Sequence, residues 1–174
     1  MTRTTSPLTR RGLLLAGASA SLLAACSWGS RKTAAAPASA DDYAASEWRS
    51  LTEDEWKARL SPEAFAVLRK EDTERAFTSP LEHEKRAGTY HCAGCDLPLF
   101  SSDAKFDSGT GWPSFWQTLP GAMGTSIDRK FFMERTEYHC ARCLGHQGHV
   151  FDDGPKPTGQ RWCNNGVALT FRPA

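Results

Sequence analysis
Cys140 to Gly166 reads CARCLGHQGHVFDDGPKPTGQRWCNNG, and the rest of the chain is organised around this stretch. It opens with a Cys-x-x-Cys knuckle, Cys140 and Cys143, and runs through His146 and His149 to the acidic pair Asp152 and Asp153. A Pro/Gly-rich loop then leads to Arg161, Trp162, Cys163, Asn164 and Asn165. Thiol, imidazole, carboxylate, guanidinium and carboxamide groups therefore fall within one short segment. One matching piece lies upstream, the knuckle Cys92-Ala93-Gly94-Cys95.

The two knuckles, Cys92/Cys95 and Cys140/Cys143, supply four thiolates, each pair able to chelate one edge of the tetrahedron that structural zinc adopts. Two disulfides in an exported protein, or a redox Cys-x-x-Cys, are the other uses of such pairs. Small residues inside each knuckle and a strand-like run leading into each favour zinc. Four thiolates leave no open position, so this metal contributes folding free energy rather than catalysis.

Cys163 is the thiol left over once Cys26, discussed below, is assigned to a lipid. An inert buried cysteine is common, but the neighbours argue for chemistry. In an extended segment Arg161, Cys163 and Asn165 share a face. The guanidinium favours a thiolate, and the carboxamide could bind a polar oxygen. His146 and His149 can donate protons near neutral pH; as zinc ligands they would be redundant beside four cysteines. Asp152 and Asp153 either form a turn or hold a histidine's tautomer.

The 174 residues, with a net charge of +1 and 40% hydrophobic residues, fit one globular domain plus extra segments. Balanced charge gives no footprint for nucleic acid, which needs a basic face. The front end stands apart. Arg3, Arg10 and Arg11 precede a weakly apolar run, Gly12 to Ala25, that is too short to span a bilayer and reads as a signal peptide. Arg10-Arg11 resembles a twin-arginine export signal, a route that lets zinc be loaded in the reducing cytosol. Leu23-Ala24-Ala25-Cys26 resembles a bacterial lipobox, which puts a lipid on Cys26; a cut after Ala40 would instead release a soluble form. Residues 1–26 are thus read as signal, 27–41 as a flexible Ala/Ser/Pro-rich tether, and 42–174 as the catalytic domain. The expected location is the periplasmic side of the cell envelope, lipid-anchored.

Within that domain Thr52-Glu53-Asp54-Glu55 is a capping-box pattern that starts a short helix through Trp56 and Leu60. Ser61-Pro62-Glu63 starts a second, with Phe65 and Leu68 on its buried side, and Ser79-Pro80 a third, ended by Gly88. Ile127 to His139 is the best strand, and Gln160–Cys163 and Val167–Arg172 flank an Asn-Asn-Gly turn as two more. The fold class is α+β: short N-terminal helices, then a mostly antiparallel β domain.

Four stretches now carry a resemblance: Gly88-Thr89-Tyr90-His91-Cys92-Ala93-Gly94-Cys95; Lys105-Phe106-Asp107-Ser108-Gly109-Thr110-Gly111-Trp112-Pro113-Ser114-Phe115; Gly148-His149-Val150-Phe151-Asp152-Asp153-Gly154; and Arg161-Trp162-Cys163. In this order they resemble the peptide-methionine (R)-sulfoxide reductase family of MsrB type, over about Trp48 to Phe171. The resemblance implies two small sheets, zinc on Cys92, Cys95, Cys140 and Cys143, a catalytic Cys163, and reduction of the R epimer of methionine sulfoxide. Family positions are matched by Trp112, His146, His149, Asp153, Arg161 and Asn165. The chain departs at Asn164, where an aliphatic residue is expected, at Gly166, where serine is usual, and at Thr110, where many members carry a resolving cysteine. The implied partners are oxidised proteins or peptides, and a thioredoxin-like protein or small thiol as reductant. The implied chemistry is attack by Cys163 on the sulfoxide sulfur, with His149 or His146 as acid and the Trp112 indole against the S-methyl group, leaving a sulfenic acid. A non-catalytic zinc-ribbon module and a cysteine peroxidase are the rival readings.

Overall fold
Thr52 starts the ordered helical region as its residue pattern predicts. In this computed structural model, which describes residues 40–130 and 133–174, α1 spans Glu53–Arg59 and is closed by a full capping box: Thr52 accepts from the Glu55 amide, and its own amide donates to Glu55 Oε2 at 2.7 Å. Ser61 caps α2 (Pro62–Lys70), with Pro62 in the first turn where its missing N–H costs nothing. The buried face of α2 is Ala64, Val67 and Leu68. Phe65 is only half-buried, flanked by Lys57 and Lys70, each with its ammonium 5.6 Å from the ring centroid.

The third helix shrinks to a single 3-10 turn, Pro80–Glu82. The residues beyond it, His83-Glu84-Lys85-Arg86, offer no apolar side chain to bury, so nothing offsets the cost of nucleating a longer helix. The expected signal segment with Arg10, Arg11 and Cys26 lies outside the described residues, as does the tether up to 39; Ala40–Tyr43 forms a 3-10 turn. Among the described residues no helix is long and apolar enough to cross a membrane.

Among the described residues nine short strands follow: β1 (Gly88–Cys92), β2 (Pro98–Ser101), β3 (Lys105–Phe106), β4 (Ser114–Phe115), β5 (Met123–Asp128), β6 (Arg135–Cys140), β7 (His146–Phe151), β8 (Arg161–Asn164) and β9 (Leu169–Pro173). They form a three-stranded sheet, β2-β1-β9, and a six-stranded sheet, β3-β4-β8-β7-β6-β5, with antiparallel pairing throughout the described residues. This is the expected α+β class, with helices first and two small sheets after. The single strand read over Ile127–His139 is in fact the end of β5, a connection and β6. Asp128 breaks it: its carboxylate accepts the Lys130 amide at 2.9 Å, an Asx turn that competes with the ladder. Nor does Asn-Asn-Gly make a hairpin. β8 belongs to the large sheet and β9 pairs with β1, with a 3-10 turn, Gly166–Ala168, between them.

The core joins the sheets through the fully buried Tyr90, Phe100 and Phe115. Phe100 of β2 stacks on Phe115 of β4 with centroids 4.0 Å apart, Tyr90 of β1 meets the Phe115 edge at 4.9 Å, and Tyr138 of β6 meets Trp162 of β8 at 5.0 Å. Each such ring contributes on the order of 2–3 kcal/mol of burial. Alternation along β6, β7 and β8 sends Tyr138, Val150, Trp162 and Asn164 to this side, and leaves the opposite face for polar groups.

Candidate active site and zinc site
Each knuckle follows the strand that positions it. β1 ends at Cys92 and β6 at Cys140, and after each the chain turns so that the second cysteine comes back. The four sulfurs lie within 4.8 Å of one another, all buried, with Cys92–Cys143 at 3.7 Å and Cys95–Cys140 at 3.4 Å. Zinc–sulfur bonds of about 2.3 Å place tetrahedron edges at about 3.8 Å, so the cage fits the ion and is far too open for disulfides. These four cysteines form the structural zinc site, a tie between the two sheets. Around it, Arg69 donates to the Cys143 carbonyl, Arg49 to that of Ala141 and Arg142 to that of Cys95. The helical segment is thereby fastened to the knuckles.

On the polar face of the large sheet, Cys163 sits directly opposite His149 across β7–β8, and opposite Ser114 across β4–β8. Paired positions of this kind hold their Cβ atoms about 5 Å apart. Gly148 makes the approach possible, because a Cβ there would lie 1.9 Å from the Cys163 carbonyl oxygen. A bulge in β7 opposite Tyr138/His139 inserts Gln147, so that two histidines three residues apart, His146 and His149, share the face. Their rings meet edge-on at 5.5 Å.

The two histidines have different partners. His149 Nε2 lies 2.8 Å from Asp128 Oδ2, and the same oxygen accepts from Arg135 at 2.6 Å. His146 Nδ1 lies 2.8 Å from Glu137 Oε1, while the other Glu137 oxygen takes Ser126 and His139. Burial drives the His149 pKa down, partly offset by its hydrogen bond to Asp128. Burial alone would raise Glu137, but the hydrogen bonds from His139, His146 and Ser126 outweigh it and bring the carboxyl to about 2. Asp128 is also held low: the Lys130 amide leads, burial opposes, and the bonds from His149 and Arg135 add. Neither Asp152 nor Asp153 meets a histidine. Asp152 is exposed, and Asp153 grips Arg161 in a bidentate pair at 2.8 and 3.0 Å. That guanidinium also lies over the Phe151 ring at 4.3 Å.

Cys163 is half-buried. Burial pushes its thiol up, against the pull of Arg161 and a hydrogen bond with Thr110, so the resting sulfur keeps its proton. The expected help from the guanidinium is present but is outweighed. Asn165 takes another role than the sequence suggested: its carboxamide accepts from the Glu74 amide and donates to the Gln147 carbonyl, both at 3.0 Å. Trp112 donates its indole N–H to the Glu74 carbonyl at 3.1 Å, and the Glu74 carboxylate accepts the Gly166 and Val167 amides. One residue thus clamps the aromatic wall to the segment after Cys163. The departures at 164 and 166 concern packing. Asn164 faces the core and accepts from Tyr138 Oη at 2.7 Å, and a Cβ at 166 would strike Ser79.

Cys163, Trp112, His149, Arg135, Phe151 and Asn165 line a cleft of about 140 Å³ together with Thr73. His146 does not reach it; it faces a separate depression with Glu137 and His139. A larger hollow of about 440 Å³ between α2 and residues 72–78 holds no thiol or imidazole and touches the cleft through Thr73. Sequence reasoning missed Asp128, Arg135, Glu137, Glu74 and Gln147. The partners of all but Glu74 are set by strand pairing, which only a register could have revealed; Glu74 lies outside the strands and meets Trp112 and Val167 from the segment after α2.

Residues 60–173 match the SelR domain family. The chain is 47% identical over 148 residues to peptide methionine sulfoxide reductase B1, chloroplastic, of Arabidopsis thaliana, covering 84% of this chain and 73% of that protein. It is 55% identical over 123 residues to peptide methionine sulfoxide reductase MsrB of Pseudomonas putida (strain W619), covering 70% and 92%. The MsrB protein of Methanosarcina mazei is 50% identical over 121 residues, covering 69% of this chain and 86% of that one. With its tetrathiolate zinc site and a lone half-buried cysteine facing a histidine, the chain belongs to the MsrB family of SelR-domain peptide methionine sulfoxide reductases.

Proposed function
We propose that this protein reduces the R epimer of peptide-bound methionine sulfoxide to methionine, with Cys163 as nucleophile, and so repairs oxidised proteins. The observation that carries the reading is the pairing of Cys163 with His149 in one cleft walled by Trp112. Its small volume suits the end of a side chain rather than a folded partner. The Trp112 indole offers the S-methyl group an apolar surface, and its N–H is already engaged with Glu74, which fixes the ring. His149, Arg161 and Arg135 supply the polar side, with His149 as the acid and Asp128 as the group that orients it. Asp153 holds Arg161, and Asn165 holds the strand, each acting through a neighbour.

The Cys163 sulfur attacks the sulfoxide sulfur while its own proton passes by way of His149 to the oxygen. The sulfur–oxygen bond of the substrate breaks, methionine leaves, and the oxygen ends on Cys163 as a sulfenic acid. Two thiol equivalents then return Cys163 to thiol, releasing water and a disulfide. Zinc supplies no step; when bound on its four cysteines it holds the sheets together. The SelR-domain match and the MsrB relatives favour this reading over a peroxidase. Thiol-dependent turnover of each sulfoxide epimer, and of hydrogen peroxide, tests the proposal. Turnover of the R epimer alone is expected, and Cys163→Ser should abolish it while keeping zinc. Retention of roughly a tenth of the wild-type rate would exclude Cys163 as nucleophile.

The export reading rests on Arg10-Arg11, the apolar run Gly12–Ala25 and Cys26. We infer a lipid-anchored protein on the periplasmic side of the cell envelope. Replacing both arginines by lysine should trap precursor in the cytosol, and Cys26→Ala should block lipidation. A mature N-terminus at Asp41 would support the soluble form instead.

A further inference from the structure
One carboxylate oxygen serves two cations. Asp128 Oδ2 lies 2.8 Å from His149 Nε2 and accepts from the Arg135 guanidinium at 2.6 Å, while Oδ1 accepts the Lys130 amide at 2.9 Å. The sheet brings these side chains together. Asp128 pairs with Arg135 across β5–β6, and Arg135 lies two residues along β6 from Glu137, the β7 partner of His149. Residues two apart on a strand point the same way, so Asp128, Arg135 and His149 share the polar face that carries Cys163. Among the described residues Asp128 is the one hydrogen-bond partner of the Arg135 side chain, whose Nε is buried without any.

This geometry decides the state of the ring. An ionised carboxylate only accepts, so Nε2 carries a hydrogen, and in a neutral imidazole Nδ1 is then bare. A proton relay needs that form, with one nitrogen free to take the Cys163 proton and pass it to the sulfoxide oxygen. A lone carboxylate at this distance works against it, because an opposite charge favours imidazolium, which has no free lone pair. Arg135 stands at the same oxygen with a charge it cannot lose. Asp128 thus keeps its hydrogen bond to the ring while the guanidinium offsets its charge. Burial of His149 acts in the same direction.

We propose that Arg135 is a positioning residue that offsets the Asp128 charge and so keeps His149 an uncharged relay, with its hydrogen on Nε2 and its Nδ1 open. The inference deepens the proposed function and rests on His149 acting there. The other charged and titratable groups around the ring are distributed over its neighbours. Glu137 on β6 lies across from His149, but its oxygens are taken by His146, His139 and Ser126. His146 lies edge-on along β7, and Cys163 faces the ring from β8 with the Arg161–Asp153 pair beside it. Lys130, after β5, is paired with Glu71. Among these groups Arg135 alone shares the oxygen that holds His149.

The test is the titration of the His149 ring by proton NMR in the zinc-loaded chain, its signal identified by its loss in His149→Gln. Arg135→Met should raise the midpoint by about one pH unit or more and carry it above the ordinary histidine value of about 6.5. Arg135→Lys should stay near wild type, because it keeps the charge. Arg135→Gln keeps a donor to Asp128 without the charge, and gives the expected rise if the methionine variant unfolds. Adding Asp128→Asn to Arg135→Met should bring the midpoint back to about 6.5 or below. The acid limb of kcat/KM for methionine sulfoxide should move upward with the same variants, since a protonated ring cannot accept from Cys163. An unmoved or lowered midpoint in the neutral variants overturns the proposal. So does a rise that stops at the ordinary value, which hydration of a loosened ring would also give, or one that survives Asp128→Asn. The titration reads the ring without turnover, so a protein that shows these shifts but reduces no sulfoxide would refute the proposed activity and leave the charge balance standing.

Discussion

Cys92→Ala is the sharpest perturbation of the fold, and its size can be worked from the zinc cage. The Cys92 sulfur lies 3.7 Å from that of Cys143 and accepts the Gln147 side-chain amide at 3.4 Å. Through the metal it closes a loop of 51 residues that contains β2 to β6. On the chain-entropy account used for cross-links, opening such a loop costs about 4 kcal/mol. Leaving the fully buried Gln147 amide without its acceptor adds about 1–3 kcal/mol. The sum approaches the whole stability of a typical domain, about 5–15 kcal/mol. At about 2–4 °C per kcal/mol for a domain of this size, the melting temperature should fall by at least about 10 °C, and zinc should drop well below one per chain. Metal analysis on the purified variant and thermal unfolding by circular dichroism measure both. A full zinc complement, or a melting point within a couple of degrees of wild type, would refute the cage as the tie between the sheets.

Stability should decline with acid in two stages. His149 is held neutral below its ordinary pKa, so from about pH 6.5 downward the unfolded chain binds a proton that the native state refuses. Asp128 and Glu137 are depressed carboxylates, whose contribution is present above about pH 4 and is lost as pH falls toward their folded values. Melting curves from pH 7.5 to 3 should show both stages, and His149→Gln should remove the first alone; an unchanged profile in that variant contradicts the assignment. Recycling gives the other expectation. Thr110 stands beside the Cys163 sulfur where a resolving cysteine would serve, so methionine sulfoxide without reductant should leave a sulfenic acid that dimedone labels. Intact mass showing an intramolecular disulfide at Cys163 would count against this, whereas Thr110→Cys should create one.

What the sequence disclosed was whatever is decided within a few residues. The Thr52 and Ser61 caps, the chelate spacing of the knuckles and the lone Cys163 beside Arg161 are local patterns, and each sits in the structure where its pattern puts it. The groups that hold the histidines are not local. Asp128 meets His149 only because β5 pairs with β6 and β6 with β7 in one register, and Glu137 gathers His139 and His146 only through the bulge at Gln147. The nearer Asp152 and Asp153 looked like candidates because distance along the chain was the only distance available. Asn165 misled for the same reason. Its carboxamide is consumed by the backbones of Glu74 and Gln147, which belong to segments the sequence did not bring near it.

Gln147 has a consequence beyond the shape of β7. Its side-chain amide ends on the Cys92 sulfur, and its carbonyl takes both the backbone and the side-chain N–H of Asn165, two residues from Cys163. The metal cage and the segment just after the nucleophile are therefore joined through Gln147 and Asn165. A change at the Cys92 sulfur that removes it as an acceptor also frees the side chain of Gln147, whose backbone carbonyl holds Asn165. The zinc cage and the segment after Cys163 thus share one anchoring residue.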